Sequence, residues 1–145
     1  MIRLGVDLGG RRVGLAVSDA LGIAAFPLEA LRVRSREEAF GAVREAARRH
    51  GAEEVVVGLP LRMNGRRGAE AKEAEDFARR LREAGTPAAL WDERLTTAEA
   101  ERGLRAMDLG RRQRQRHIDA HAAQRLLAAY LDFLRYQPRT QEAGS

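Results

Sequence analysis

Three carboxylates that lie far apart in the sequence are the residues best suited to chemistry in this chain. Asp7 lies near the end of the first apolar run, Glu93 follows the last short one, and Asp119 lies in the centre of the apolar face of the final helix. An ionised carboxylate on an apolar face is costly unless it is paired or binds a cation. Asp119 is therefore predicted to be either a salt-bridge anchor or one ligand of a cation site.

The elements that must position these acids follow from the apolar pattern and the capping residues. Ser35 and Glu38 form a capping box, and Pro27 indicates an edge strand. The predicted strands are 2–8, 13–17, 24–33, 54–58 and 87–92, and the predicted helices are 35–50, 69–84, 96–107 and 118–136. Loops are predicted at 59–68 and 108–117. Residues 1–136 are thus expected to form a single α/β domain with a mixed sheet, followed by a disordered polar tail at 137–145.

The order of these elements can bring the three acids together. In open α/β sheets, ligands bind at the carboxyl ends of the parallel strands. If strands one, four and five are neighbours, Asp7 and Glu93 share that edge, and Asp119 on the covering helix can reach it. Carboxylates so placed repel one another, which raises their pKa values unless a divalent cation intervenes. One or two such ions, roughly 3.5–4 Å apart, would suit in-line phosphoryl displacement.

The composition restricts which cation this site could hold. The chain has no cysteine and three scattered histidines, so neither a thiolate site nor a histidine-rich zinc site is expected. Oxygen ligands favour Mg²⁺ or Mn²⁺. No apolar run approaches membrane-span length, and the first strand begins too early for a signal peptide. A soluble, cytoplasmic protein without membrane association is expected.

Each acid also has a simpler interpretation. Asp7 could cap the turn at Gly9 and Gly10. Glu93 could be paired with Arg94 or be solvated, and Asp92 beside it is a rival ligand, although Glu93 is preferred. The glycines around Asp7 could permit a tight hairpin or let a phosphate backbone approach closely.

Arginine dominates the basic charge and is concentrated in two segments. The net charge is +5 with a single lysine, Lys72. The segments contain Arg62, Arg66 and Arg67, in a loop to which Asn64, Gly65 and Gly68 would give mobility, and Arg111, Arg112, Arg114 and Arg116 before the final helix. Their position beside the acids favours phosphate contacts, and therefore a nucleic-acid partner. Genomic base composition could also produce this arginine excess. The few aromatic residues do not support sequence-specific reading of single strands.

Four segments together resemble the YqgF/RuvX family of RNase H-like nucleases. They are GVDLGGRRVGLAVSD at 5–19, VVVGLPLRMNG at 55–65, DERLTT at 92–97 with Glu99, and IDAHAAQRLLAAYL at 118–131. The resemblance implies an RNase H-like α/β fold with a five-stranded mixed sheet of order 3-2-1-4-5, flanked by helices. It also implies a metal-dependent phosphodiesterase whose acids correspond to Asp7, Glu93 and Asp119.

The resemblance implies the substrate as well. Family members are described as nucleases that process the 5′ end of pre-16S ribosomal RNA, and some as Holliday-junction resolvases. Structured RNA is therefore the preferred partner and branched DNA the alternative, with a monomer favouring RNA and a homodimer favouring DNA. This chain departs from the family at Gly10 and Arg11, where threonine and lysine are common. Arg11 keeps a positive charge that can contact nucleic acid, whereas Gly10 lacks the hydroxyl.

Two further functional classes remain open on sequence grounds. A non-catalytic nucleic-acid-binding domain could retain the fold, but the intact set of three acids argues against it. The DLGG segment followed by VGLAVSD is also similar to a phosphate-binding hairpin of sugar kinases and actin-like ATPases. Those enzymes bind nucleotide between two related domains, and this sequence contains one.

Overall fold

The computed structural model describes residues 1–95 and 111–136, and for residues 111–120 it describes the backbone alone. The strands are β1 (Arg3–Leu8), β2 (Arg12–Ser18), β3 (Ala25–Arg32), β4 (Glu54–Leu59) and β5 (Ala88–Asp92). The helices are α1 (Arg36–His50), α2 (Ala69–Glu83) and α3 (Arg111–Arg135).

The five strands form one mixed sheet in the order β3-β2-β1-β4-β5. β2 is antiparallel to both β1 and β3, whereas β4 is parallel to β1 and β5 is parallel to β4. The predicted order is confirmed, and with it the RNase H-like sheet that the family resemblance implied. Pro27 lies in an edge strand, as predicted, where its missing amide hydrogen removes no hydrogen bond from the centre of the sheet.

The sheet is covered on both faces, by different kinds of packing. One face carries the larger core, in which β1, β2 and β4 side chains pack against α1 and α2 through residues such as Val43, Phe77 and Leu81. The other face carries a smaller core against α3, with Ala16, Val56 and Leu127 among its members. α3 therefore lies on the face to which Gly5, Asp7 and Gly14 belong, since alternate residues of a strand point to the same side.

Local signals place α1 as predicted. The Ser35 hydroxyl accepts a hydrogen bond from the Glu38 amide at 3.1 Å, and the helix ends at Gly51 in the left-handed conformation, with φ 67°. Gly51 suits this position because a left-handed backbone is strained for a residue with a Cβ atom.

The final helix begins earlier than predicted. α3 starts at Arg111, so the prediction of a loop at 108–117 is wrong for residues 111–117. Arginine and glutamine are strong helix formers, and no glycine or proline interrupts this segment. Residues 93–95 are already helical, so the chain turns from β5 into a helix at Glu93 rather than at Thr96. The rest of the predicted helix 96–107 and the tail 137–145 lie outside the described residues.

Within the described ranges, no helix combines the length and apolarity that crossing a membrane requires.

Candidate active site

Asp7 lies between two glycines in the centre of the sheet. It pairs with Gly14 across the antiparallel β1–β2 ladder. The parallel β1–β4 ladder aligns Val6 with Val57, and the next position along places Gly58 on the other side of Asp7. A Cβ atom added at Gly14 would lie 3.5 Å from the Asp7 Cβ, so the two positions share a face. Neither neighbour carries a side chain, so side chains from other elements can occupy the volume on both sides of Asp7.

Glu93 occupies the volume above Gly58. A Cβ atom at Gly58 would lie 2.8 Å from the Glu93 Cδ and 2.9 Å from its Cγ, and would overlap Oε1. The carboxyl group thus lies where a side chain on β4 would otherwise be, and it forms a side-chain hydrogen bond with Asp7. The structure brings these two predicted site residues together.

The electrostatic environment of Glu93 keeps it protonated. Burial raises the pKa of Glu93 to about 9, and the hydrogen bond with Asp7 and the negative charges of Asp7 and Asp92 act in the same direction. In the absence of a cation, Glu93 therefore carries a proton at neutral pH, and it forms a hydrogen bond with Asp7. A positively charged ligand bound beside the pair would favour the ionised form of both carboxyl groups.

Asp92, the rival ligand, is engaged by Arg94. The Arg94 guanidinium donates to both Asp92 carboxylate oxygens, with Nη2–Oδ2 at 2.7 Å and Nε–Oδ1 at 3.1 Å, and the Arg94 amide donates to Oδ1 at 3.0 Å. These bonds lower the pKa of Asp92, with the side-chain bond the largest cause. Arg94 thus pairs with Asp92 rather than with Glu93, which leaves the Glu93 carboxyl directed to Asp7.

α3 approaches this part of the sheet closely. A Cβ atom at Gly5 would lie 2.9 Å from the Leu127 Cβ and 3.0 Å from the Ala123 carbonyl oxygen, and one at Gly14 would lie 3.6 Å from the Ala123 Cβ. Ala123 is therefore packed over the β1–β2 pair beside Asp7. Asp119 precedes Ala123 by one helical turn, about 6 Å along the axis. Its backbone lies in α3, and its side chain is outside the described residues.

The predicted basic residues differ in their surroundings. Arg11 is exposed in the β1–β2 turn, and Arg62 and Arg66 are exposed in the loop after β4. Arg67, also exposed, forms a salt bridge with Glu75. The remaining four, Arg111, Arg112, Arg114 and Arg116, occupy the first turns of α3, and their side chains lie outside the described residues.

The loop that carries Arg62 and Arg66 is a hydrogen-bonded turn. The Arg62 amide donates to the Arg66 carbonyl at 3.0 Å, and the Gly65 amide donates to the Arg62 carbonyl at 2.7 Å. The Asn64 carboxamide oxygen accepts from the Arg66 amide at 2.9 Å. A Cβ atom at Gly65 would lie 3.5 Å from Arg94 Nη1, so the loop also lies next to the Arg94 guanidinium.

Sequence reasoning missed the roles of Gly5, Gly58 and Arg94. Gly5 is neither a hairpin glycine nor a point of phosphate approach, since it admits α3 to the sheet. Gly58 ends an otherwise β-branched run, which is a detectable signal because a strand interior rarely benefits from glycine. No sequence signal distinguishes Asp92 from Glu93 as the partner of Arg94.

Comparison with known proteins places the chain in a family. The family model described as "RuvX: Holliday junction resolvase" matches residues 1–133. A protein of Moorella thermoacetica named "Putative pre-16S rRNA nuclease" is 46% identical over 132 residues, which cover 90% of this chain and 94% of that protein. One of Geobacillus kaustophilus with the same name is 44% identical over 135 residues, covering 91% and 98%.

A solved structure, titled as Thermus thermophilus RuvC in complex with a Holliday junction substrate, aligns with a TM-score of 0.43 and 23% identity over 69% of each chain. The family match spans both Asp7 and Glu93 and most of α3, and the curated relatives match at 41–46% identity over nearly their whole length. The chain therefore belongs to the RuvX family.

Proposed function

We propose that this protein is a divalent-metal-dependent nuclease that hydrolyses phosphodiester bonds and processes the 5′ end of pre-16S ribosomal RNA. The observation that carries the proposal is the Asp7–Glu93 carboxyl pair, held over Gly58 at the carboxyl edge of the parallel strands. The names of the curated relatives support the RNA substrate.

The donor chemistry fits a hard divalent cation. Asp7 and Glu93 place carboxyl oxygens next to each other. Asp92 is a poorer ligand candidate, because Arg94 donates hydrogen bonds to both of its carboxylate oxygens. Among the described side chains, no group of three or more acidic, histidine or cysteine residues is close enough to hold a metal. The proposal therefore requires a third ligand from beyond them, and Asp119, one turn before Ala123, is assigned that role.

Asp7, Glu93 and Asp119 would hold the cations. Mg²⁺ or Mn²⁺ bound there would polarise the phosphoryl oxygens and stabilise the charge that develops during displacement. The chain itself supplies the arrangement. Gly14 and Gly58 leave the positions beside Asp7 free of strand side chains, so that Glu93 lies on one side and Ala123 of α3 packs over the other. Glu93 must release its proton before both carboxylates can act as ligands.

The exposed arginines at this edge would hold the nucleic-acid backbone on either side of the acids. Arg11 lies in the turn that follows Asp7, and Arg62 and Arg66 lie in the loop after Gly58. The first turns of α3, upstream of Asp119, contain Arg111, Arg112, Arg114 and Arg116. Arginine contacts with phosphates position the strand without reading its sequence.

A Holliday-junction resolvase is the second candidate, and the description of the matching family favours it. The chemistry would be the same, but a resolvase must cut two strands and therefore requires two active sites. A stable homodimer would favour branched DNA, whereas a monomer would favour RNA processing.

The decisive experiment compares cleavage of pre-16S RNA, a four-way DNA junction and plain RNA and DNA duplexes, with Mg²⁺, with Mn²⁺ and with EDTA. We expect metal-dependent cleavage of the ribosomal precursor above all others. Asp7→Asn should reduce this cleavage by at least about 1,000-fold, because it removes a ligand while preserving side-chain shape.

Asp132→Asn is the matched control, since Asp132 is exposed on α3 and pairs with Arg135 rather than with the site. It should leave cleavage unchanged. Near-normal Mn²⁺-dependent cleavage by the Asp7→Asn protein would place the nuclease site elsewhere. Preference for the four-way junction by a dimeric protein would replace the RNA assignment with the resolvase one.

A further inference from the structure

Two arginines face each other on adjacent strands, where β2 begins and β3 ends. Arg12 is the direct partner of Arg32 in the antiparallel β2–β3 ladder. Directly opposite residues project to the same side of a sheet, with their Cβ atoms about 4.5–5.5 Å apart. Like charges in this arrangement destabilise the strand pair. The arginine pair is therefore unfavourable for the stability of the isolated protein.

The described part of the chain neutralises neither guanidinium group. Both residues are exposed, and neither side chain forms a hydrogen bond or salt bridge with another described residue. Arg36, Arg67 and Arg94, by contrast, are each paired with a carboxylate. The acid on β3, Glu29, is also exposed and forms no salt bridge with the pair. The positive charge of the pair can therefore act on a ligand.

Backbone hydrogen bonds hold the two arginines in place. The Gly9 amide donates to the Arg12 carbonyl at 2.8 Å, and the Val33 amide donates to the Arg11 carbonyl at 3.0 Å. Val33 is itself buried in the larger core. The turn after β1 and the end of β3 are thus joined, and the pair projects from a defined backbone. A ligand bound there would require little ordering of the main chain.

The pair lies on the face of the sheet that carries Asp7. Gly14 shares that face with Asp7, and Arg12 precedes Gly14 by two residues, so Arg12 projects to the same side. Two strand residues span about 7 Å, in the direction of the carboxyl end of β1. The loop that contains Arg62 and Arg66 follows β4, on the opposite side of β1. A nucleic-acid strand over Asp7 would therefore have arginines on both sides.

We propose that Arg12 and Arg32 together bind one phosphate group of the nucleic-acid backbone, on the β2–β3 side of the scissile bond. An anion between the two guanidinium groups would remove their mutual repulsion, and the donor geometry of arginine matches phosphate oxygens. The inference rests on the proposed function, because the strand is taken to be the substrate of the Asp7–Glu93 pair. Spacing along the sequence does not reveal this pair, since its members become neighbours only in the sheet.

Binding measured in EDTA by fluorescence anisotropy tests the proposal without relying on cleavage. The probe is a stem-loop RNA with a single-stranded extension, prepared also with one neutral methylphosphonate linkage at each position in turn. Arg12→Gln and Arg32→Gln should each weaken binding of the unmodified probe by about tenfold. Because both side chains contact the same phosphate, the double variant should lose much less than the product of the two single losses, about a hundredfold.

The modified probes locate the contact. At one linkage the wild-type protein should lose about tenfold in affinity, because the neutral group cannot attract the two guanidinium groups. The double variant should lose nothing further at that linkage. At the other linkages the two proteins should respond alike.

Arg32→Glu separates binding from folding. It places opposite charges across the β2–β3 ladder, so the melting temperature should rise by about 1–4 °C. Affinity for the unmodified probe should nevertheless fall by at least about tenfold. Arg49→Glu is the matched control, because Arg49 is exposed in the last turn of α1, which leads to the amino end of β4. It makes the same change in charge and should retain the wild-type response at every linkage.

Equal sensitivity of the wild-type protein and the double variant at every linkage would overturn the proposal. Wild-type affinity in a folded Arg32→Glu protein would do so as well, and would leave an acidic protein surface as the partner of the pair. These outcomes are separate from those of the cleavage assay. If no metal or substrate gives cleavage, the proposed function fails, and the linkage-specific loss still decides whether the two arginines bind a phosphate.

Discussion

The two faces of the sheet are built on different principles. The α1/α2 face is filled by large side chains, with Leu4, Phe77 and Leu81 at 3% exposure or less. On the other face, α3 packs closely against β1 and β2, because Gly5 and Gly14 have no side chains to separate Ala123 from the strands. Buried side-chain volume stabilises the packing of α1 and α2 on the sheet, whereas close backbone contact determines the distance between α3 and the sheet.

Because of this difference, we expect the α1/α2 face to contribute mainly to stability and the α3 face mainly to the position of the proposed site. Large apolar side chains can be buried without fixing the position of any polar group, so the α1/α2 face contributes free energy and tolerates small displacements. In the proposed site, the α3 face would carry position 119 to within reach of Asp7 and Glu93, and the glycines of β1 and β2 set how closely α3 approaches the sheet. The same face also includes Gly58, above which Glu93 lies. Substitutions on the α1/α2 face should therefore lower stability more than activity, and substitutions on the α3 face should lower activity more than stability. Four variants test this, in order of decreasing effect on the free energy of unfolding.

Leu81→Ala should have the largest effect on stability. Leu81 is fully buried between α2 and the sheet, and removing its side chain leaves a cavity that costs about 2–5 kcal/mol. Chemical denaturation should report this loss as a lower midpoint. The folded fraction should cleave at the wild-type rate at low temperature. A loss of specific activity out of proportion to the unfolded fraction would contradict this difference between the faces, because the α1/α2 face would then also position the site.

Gly5→Ala should be less destabilising but more harmful to activity. The added Cβ atom would lie 2.9 Å from the Leu127 Cβ and 3.0 Å from the Ala123 carbonyl, so α3 must move away from β1. Overpacking of this kind costs about 1–3 kcal/mol. Because α3 carries Asp119, we expect cleavage to fall by about 100-fold even in fully folded protein. Normal cleavage at a reduced melting temperature would contradict a positioning role for the seam between β1 and α3.

The sheet could be predicted almost completely from the sequence, and the start of α3 could not. Alternating or continuous apolar runs between turn residues define all five strands, and Pro27 indicates the edge. The start of α3 at Arg111 was missed because a run of charged residues looks like a loop when apolar periodicity is the criterion. Helix propensity alone would have favoured the helix.

The sequence indicated that Asp7 and Glu93 would lie together, but it did not indicate what surrounds the pair. A carboxylate at the end of a strand is visible in sequence, as Asp7 and Glu93 were. The pairing of Arg94 with Asp92 depends on how the chain turns at Glu93, and the role of Gly58 depends on which side chain lies above it. Both are tertiary facts that spacing along the chain does not encode. The role of Asp119 stays a prediction.

Glu93→Gln should stabilise the metal-free protein. The pKa of Glu93 is raised from 4.5 to about 9, so the folded chain keeps a proton that the unfolded chain releases. This contribution to stability is complete below pH 4.5 and is lost as the pH rises towards about 9. Glutamine does not titrate and can donate a hydrogen bond to Asp7. We expect a gain on the order of 1–2 kcal/mol at pH 8 and a flatter pH dependence.

Thermal melts in EDTA at pH 5, 7 and 9 would measure that gain, with Glu83→Gln as the control because Glu83 is exposed and pairs only loosely with Arg79, at 3.7 Å. The same Glu93→Gln protein should cleave poorly with either metal. If the melting temperatures of the wild-type and Glu93→Gln proteins changed with pH in parallel, the acidic pair would not destabilise the folded state. The α3 face would then not lose stability because of its carboxyl groups.

Gly58→Ala should have the smallest effect on stability but should still reduce cleavage strongly. The new methyl group would take the volume that the Glu93 carboxyl occupies, but that carboxyl ends a flexible side chain and can move aside, so the change in unfolding free energy should stay within about 1 kcal/mol. Moving the carboxyl by about 1 Å should still reduce cleavage about 100-fold. Gly41→Ala, at an exposed α1 position where a Cβ meets nothing within 4 Å, should leave cleavage intact. Equal cleavage by both variants would mean that Glu93 does not need its place above Gly58 for activity. A selective loss in Gly58→Ala would show that a missing side chain on β4 determines where this carboxylate acts.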